Sequence, residues 1–232
     1  MINIFFVGFV ILMTGVVLVQ STRYLGIRTA FATAASLVPW LIYVGWISYT
    51  GVVRNLSRPP GTVLIVLPAV AILILLFWRL QSPAGVTAVL AFPLWVILGT
   101  QFFRVGVELF LHELWTAGIV PKMLTFEGAN FDVYVGGTAP LIAWLSTRGR
   151  LGLKAALVWN VFGVVILANV VGRAILTTPA LHAIHTEVPN LMFGTFPFTF
   201  IPGFFVPLAI TLHLLAFISI RRRLRPAART AS

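Results

Sequence analysis

The stretch GVTAVLAFPLWVILGTQFFRVGVELFLHE, residues 85–113, decides how this chain is read. A bilayer core asks for about 20 apolar residues of helix, and this run supplies them. Within it stand Arg104, Glu108 and His112, a spacing of i, i+4, i+8 that stacks three side chains on one helix face. Gln101, one turn earlier, extends the stripe. Ionisable groups are costly in lipid, so they face a protein interior or a wet cavity and mark function by default.

Composition agrees with a bilayer as solvent. Of the 232 residues, 59% are hydrophobic and 9% charged, with mean hydropathy +1.03. A soluble domain would carry roughly a quarter charged residues. With no cysteine, the chain has no disulfide framework, thiolate nucleophile or Cys-ligated cluster. The net charge of +11 reports membrane topology rather than nucleic-acid binding. The first apolar run, residues 2–19, lacks a basic leader and a clear small-residue cleavage pattern, so it is expected to be a retained helix. No internal repeat stands out that would suggest an inverted-repeat transporter.

The expected fold is an all-α polytopic transmembrane bundle. Seven spans can be drawn, with six as the runner-up: residues 2–20, 30–53, 61–78, 85–113, 133–147, 155–176 and 198–219. The fifth is short, and the fourth is long enough for its last turns to leave the bilayer. Residues 1–220 form one domain and 221–232 a basic cytoplasmic tail. Placing the C-terminus inside puts eleven Arg and Lys residues on the cytoplasmic side, against Arg54, Arg58 and Lys122 outside. The positive-inside rule therefore gives N-out, C-in, in a bacterial cytoplasmic (inner) membrane. Prolines at 39, 68, 93, 140, 202 and 207 fall within spans, where each frees a carbonyl one turn earlier and either shapes packing or forms a hinge.

With that topology all five acidic residues lie in the outer half, with Arg104, His112, Arg173, His182 and His185. The outer mouth is where chemistry is expected. Two readings of the stripe compete: a self-neutralising Arg104–Glu108 ion pair that fixes packing, or a proton, ion or ligand site. The outer segment Thr125-Phe126-Glu127-Gly128-Ala129-Asn130-Phe131-Asp132 is expected to be ordered and to fold back over the fourth span. Its aromatics suit the headgroup level, and Glu127 and Asp132 are placed to meet Arg104 or Arg173. The alternative is a solvated connection of turn residues. Asn169 and Arg173 form a further i,i+4 pair near the outer end of the sixth span.

The chain resembles an uncharacterised family of bacterial multi-pass membrane proteins. The resemblance lies in the Thr-Phe-Glu-Gly-x-Asn-Phe-Asp segment, the preceding Arg104/Glu108 helix, and the stretch from Phe196-Pro197 to Pro207 leading to His213, roughly the second half of the chain. It implies a shared multi-pass fold and brings no activity with it.

His182 and His185 sit i, i+3 near Glu187, and with His112, Glu108 and Glu113 they would offer enough ligands for zinc, iron or manganese. No recognised ligand spacing occurs, so no metal is expected, and no other cofactor. His213 reads as a hydrogen-bonded packing residue rather than a haem ligand. The lysines, Lys122 and Lys154, lie in connections, which excludes a retinal Schiff base.

The leading expectation is an outward-facing polar pocket that binds or transports a small polar solute, ion or proton. Glu108 would be protonatable, Arg104 its charge partner or an anion clamp, and His112 a relay; Gln101, Glu127, Asp132, Asn169 and Arg173 complete the candidate set. No residue is assigned as catalytic. The alternatives are a membrane enzyme acting on a lipid or polyprenyl-type substrate, with Arg104 and Arg173 holding a phosphate, or a structural or assembly subunit. Expected partners are membrane lipids, a small polar ligand or ion, and partner membrane subunits; nucleic acid is not expected.

Overall fold

Gly26 joins the first two helices. Its φ of 85° lies in the left-handed region open to glycine, which lets α1 (Ile2–Leu25) end and α2 (Ile27–Tyr49) begin one residue later. The computed structural model describes residues 1–54, 60–181 and 183–225, and among them there is no β-strand. The remaining helices are α3 (Val63–Gln81), α4 (Pro83–Ala91), α5 (Leu94–Thr100), α6 (Phe103–Thr116), α7 (Asp132–Leu145), α8 (Gly149–Leu176) and α9 (Val206–Leu224). Six helical segments are long and apolar enough to cross a membrane: α1, α2, α3, α5–α6 as Leu94–Thr116, α8, and Ile201–Leu224. The protein is a polytopic all-α membrane bundle.

Lipid-facing and core-facing sides follow from helical periodicity. On α1, Phe6, Val10 and Met13 are buried at i, i+4, i+7, while Ile4, Phe5, Ile11 and Leu12 are exposed. The buried stripe meets an aromatic cluster in which Phe205 stacks on Phe9 at 5.1 Å and on Phe103 at 5.6 Å.

The long fourth stretch is not one helix. Pro93 has no N–H to give and disfavours helix at Phe92, so α4 ends there. A tight turn at Gln101–Phe102 then separates α5 from α6. At the other end of the chain, α9 continues through Arg221–Arg223, past the boundary expected at residue 220.

The fifth stretch is short for a physical reason. A helix of 14 residues, α7 is about 21 Å long. It begins at Asp132, at the depth of Arg104, about 18 Å down α6 from Thr116. The rest of this path, toward the Thr116 end of α6, is irregular backbone, residues 117–131, with Val120, Leu124, Thr125 and Asn130 all at most 2% exposed. Such backbone is tolerated at membrane depth only where protein buries it. A second segment has the same local form. The 3-10 turns Lys122–Leu124 and Met192–Gly194 are followed by Thr125 and Thr195, whose N–H groups donate to Lys122 O at 3.0 Å and Met192 O at 2.8 Å. Each is followed by a turn and an inward-running helix, the second starting as a π-helical turn, Ile201–Phe205. The two Thr-Phe steps are thus a repeated structural device that the sequence alone did not reveal.

Two proline-freed carbonyls are capped from α2. Pro68 cannot donate to Leu64 O, and Tyr43 Oη does so at 3.1 Å. Pro207 cannot donate to Gly203 O, and Trp40 Nε1 does so at 2.7 Å. These prolines act through packing.

Close helix approach at the centre depends on two glycines. A Cβ on Gly136 would sit 2.8 Å from Val105 N, and one on Gly163 would sit 2.5 Å from His213 Cε1. Their absence brings α7 and α8 against Arg104 and His213.

Candidate functional site: a buried network at the polar end of an apolar cavity

Arg104 on α6 is 2% exposed. A guanidinium so placed needs hydrogen-bond partners, and α7 and α9 supply them, with α8 behind α9. Its Nε donates to Asp132 Oδ2 at 3.0 Å and its Nη2 to Asp132 Oδ1, a bidentate ion pair with the first residue of α7. Its Nη1 donates to His213 Nε2 of α9 at 2.9 Å. Because Nε2 accepts, the His213 ring proton sits on Nδ1, which donates to Asn160 Oδ1 of α8 at 2.9 Å. Asn160 Nδ2 in turn donates to His213 O at 3.1 Å. The chain Asn160–His213–Arg104–Asp132 uses three of the five guanidinium N–H groups and pins α6, α7, α8 and α9 together.

One turn along α6 lies Glu108, 1% exposed. Its partner is not Arg104, as the i,i+4 spacing suggested, but Asn130, whose Nδ2 donates to Glu108 Oε1 and to Leu124 O at 3.0 Å. Asn130 Oδ1 accepts from the Asp132 N–H at 3.0 Å. One amide thus closes the irregular segment, places the start of α7 and holds half of Glu108. The other half, Glu108 Oε2, is buried without a partner among the described residues, as is Gln101 Oε1; Gln101 Nε2 reaches Ala209 O at 3.5 Å.

The remaining candidates divide clearly. Asn169 Nδ2 donates to Ala129 O at 3.0 Å and anchors the irregular segment to α8, while Arg173 Nε donates to Asn169 Oδ1 at 2.9 Å rather than meeting a carboxylate. His112 stacks on Phe126 at 4.8 Å and packs against the segment, and its Nδ1 is buried without a partner among the described residues. Glu127 is exposed and makes no hydrogen bond among the described residues, so of the two loop carboxylates only Asp132 joins the centre. Phe131 is 43% exposed, whereas Phe126 is half-buried. Glu187 accepts from Lys122 N at 2.6 Å and ties the two outer loops together. His182 lies outside the described residues, among which no three His, Asp or Glu side chains converge as metal ligands.

Arg104, Glu108 and Asp132 form part of the wall of a cavity of about 580 Å³. It lies between α3, α6, α8, the π-helical turn and α9, and on α3 it reaches from Thr62 to Leu73, about 16 Å of helix. Apart from these three side chains, its only polar lining residues among the described ones are Thr62 and Thr178. The rest is aliphatic or aromatic, including Ile65, Val70, Leu167, Val171 and Phe205. The pocket expected to be polar is therefore apolar, with its ionisable groups gathered on α6 and at the start of α7. A wider depression of about 900 Å³ between α1, α5, α6 and α7 has no ionisable group and only Gln20, Thr100 and Thr147 as polar lining. It offers less chemistry than the smaller cavity.

Asn160 escaped the sequence reading; Asn130 was read only as part of the ordered segment, and His213, read as a hydrogen-bonded packing residue, is one, bonded to Arg104 and Asn160. A guanidinium in mid-span needs partners at its own depth, and that requirement points to His213 once α9 is drawn. A family model described as a domain of unknown function, DUF8737, matches residues 60–221, a range that contains every residue of the network. No curated protein and no solved structure matches the chain.

Proposed function

We infer function from the site itself, because this chain belongs to the DUF8737 family, whose domain is described as one of unknown function. We propose a membrane protein that takes up a hydrophobic, lipid-class molecule within its bundle and holds the molecule's polar end at Glu108. The observation that carries this reading is the lining of the cavity: about 580 Å³ walled by apolar side chains, with ionisable groups on one wall only. Ligand sites are commonly apolar concavities with a few placed polar groups that fix orientation.

The same lining weighs against a small polar solute or a hydrated ion, for which most of the wall offers no hydrogen bond. The enzyme alternative keeps its lipid substrate but not its phosphate clamp, because Arg104 is engaged by Asp132 and His213, and Arg173 by Asn169. The Arg104 network, bonded within the chain, serves as the organiser of four helices, and Glu108 keeps one buried oxygen without a partner among the described residues.

The orientation that fits is N-out and C-in with α7 as a seventh, partial crossing, in a bacterial inner membrane; eleven basic residues on one side support it. The cavity then lies toward the outer leaflet. Lipid extraction and native mass spectrometry of protein purified in nanodiscs test the reading. A hydrophobic molecule should co-purify, and Ala69→Phe or Ala174→Phe, which fill the cavity, should remove it. Retention of the molecule in both filled variants, with the fold intact, would place its site elsewhere.

A further inference from the structure

Independently of what the inner cavity holds, we propose a second lipid site on the outside of the bundle. The groove between α1 and α7 seats an anionic phospholipid of the leaflet on the basic side, the cytoplasmic one in the orientation proposed above. Arg23 and Arg148 hold its phosphate, and its acyl chains lie along α5 and α6.

The groove is the depression of about 900 Å³ whose walls come from α1, α5, α6 and α7. Both α1 and α7 run antiparallel to the α5–α6 stretch. A Cβ on Gly106 would meet the Phe9 ring at 2.6 Å, and Gln20 Nε2 donates to Thr100 Oγ1 at 2.9 Å. On the other side Asp132 pairs with Arg104, and a Cβ on Gly99 would sit 3.6 Å from Ala143 Cβ. Gln20, Gly99 and Ala143 therefore share a depth. Past that level α1 reaches Arg23, one turn after Gln20 and on the same helix face, and the end of α7 leads to Trp144 and Arg148. Both arginines thus stand at one end of the groove.

That end is positive and has no acidic side chain to neutralise it. The five acids of the chain all lie at the level of Arg104 or in the segments at the opposite end. Arg23 and Arg148 are exposed and make no side-chain hydrogen bond among the described residues, whereas Arg150 donates to Leu224 O at 3.2 Å. Each lies on an aromatic ring. Arg148 is 4.2 Å over Trp144, which lines the groove, and Arg23 is 5.7 Å over Tyr24. A ring covers one face of a guanidinium and leaves its N–H edge for a phosphate. Trp95 and Trp144, both 52% exposed, supply indoles of the kind that settle at the headgroup level. Basic pockets between spanning helices on the cytoplasmic side suit anionic head groups. A soluble phosphate would use the arginines and leave the apolar walls bare, while a lipid covers both. A second copy seated symmetrically on this face would bring the same arginines to the same level, cation against cation.

Photolabelling of the full chain in nanodiscs tests this. Phosphatidylglycerol and phosphatidylcholine carrying the same diazirine-bearing acyl chain are compared as minor components of an uncharged bilayer, and labelled peptides are mapped by mass spectrometry. Phosphatidylglycerol should label the groove, residues 9–20, 95–106 and 140–147, about tenfold more than phosphatidylcholine, because each arginine near the head group contributes up to about fivefold. In the double variant Arg23→Gln, Arg148→Gln the two lipids should label alike. The control Arg79→Gln, Arg222→Gln removes the same charge from exposed arginines on α3 and α9 and should keep the preference. Equal labelling by both lipids in the parent chain would overturn the proposal. So would a preference that survives the loss of Arg23 and Arg148, or one that the control pair abolishes equally. Exclusion of both lipids from the groove, as by a second copy seated there, would overturn it too. The parent comparison needs no variant, so a misfolded variant does not remove the test, and the cavity between α3 and α8 is untouched by any of these outcomes.

Discussion

Removing Asp132 should be the most damaging single change in the bundle. Asp132→Leu strands Arg104 at 2% exposure and breaks two of the three hydrogen bonds on its guanidinium. Hydrogen bonds to charged groups contribute about 1.5–3 kcal/mol each, and breaking a buried pair from one side costs about 3–5 kcal/mol. The reverse change, Arg104→Met, should cost less, about 1–3 kcal/mol, because a stranded carboxylate can take up a proton while a guanidinium stays charged. The double variant should come within about 1–2 kcal/mol of the parent, since apolar residues of similar volume replace a desolvated pair at little net cost. Breaking the neutral outer link with Asn160→Ala sets the scale for comparison, at about 0.6–1.7 kcal/mol for a hydrogen bond between membrane helices. Denaturant titration of the detergent-solubilised protein, followed by helical circular dichroism, gives all four values and closes a double-mutant cycle. Asp132→Leu within about 1 kcal/mol of the parent, or single losses that simply add in the double variant, would show that this pair is not the keystone.

Gly163→Ala should cost about 1–3 kcal/mol, because its Cβ would lie 2.5 Å from a His213 ring held by hydrogen bonds at both nitrogens, whereas Gly172→Ala, with nothing within 4 Å, should be neutral in the same titration. Trp40→Phe leaves the carbonyl freed by Pro207 without its cap and should cost about 1–2 kcal/mol, and Tyr43→Phe, at a more exposed carbonyl, should cost about 0.5 kcal/mol. A cysteine placed at Thr125, which is fully buried in a chain without native cysteines, should resist an impermeant thiol reagent; adding Asn130→Ala should expose it. Labelling that is equally fast in both backgrounds would deny Asn130 its role in closing the segment.

The membrane bundle was legible because hydropathy over a span-length window needs no tertiary information. The shortness of α7 was legible too, although its cause was not. An irregular segment at membrane depth has the local sequence of an exposed loop, and only its burial by α6 and α8 distinguishes it. The inward-facing stripe on α6 was legible, and so was a carboxylate of the segment 125–132 as a partner for Arg104, Asp132 and not Glu127 making the pair, while the alternative pairing with Glu108 within the helix does not form. Spacing along one helix names neighbours, and the choice of Asp132 over Glu108 depends on where a second helix starts. Asn130 looked like a turn residue, which it is, and its second use as the partner of Glu108 leaves no mark on the sequence. The apolar cavity depends on how α3 and α8 stand around α6, and no single segment encodes that.

A membrane potential does work only on charge that changes depth. Arg104 and Asp132 hold opposite charges within hydrogen-bond reach, so moving them together carries no net charge through the field. A lone elementary charge crossing the whole field would gain about 2.3 kcal/mol per 100 mV. His213, accepting from Arg104 through Nε2, brings no charge of its own. Glu108 is the buried ionisable group of the centre with a neutral partner, the Asn130 amide, in place of a counter-ion. A change in the net charge of the centre is therefore carried most simply by the gain or loss of the Glu108 proton, the one step there that needs no ion pair to break.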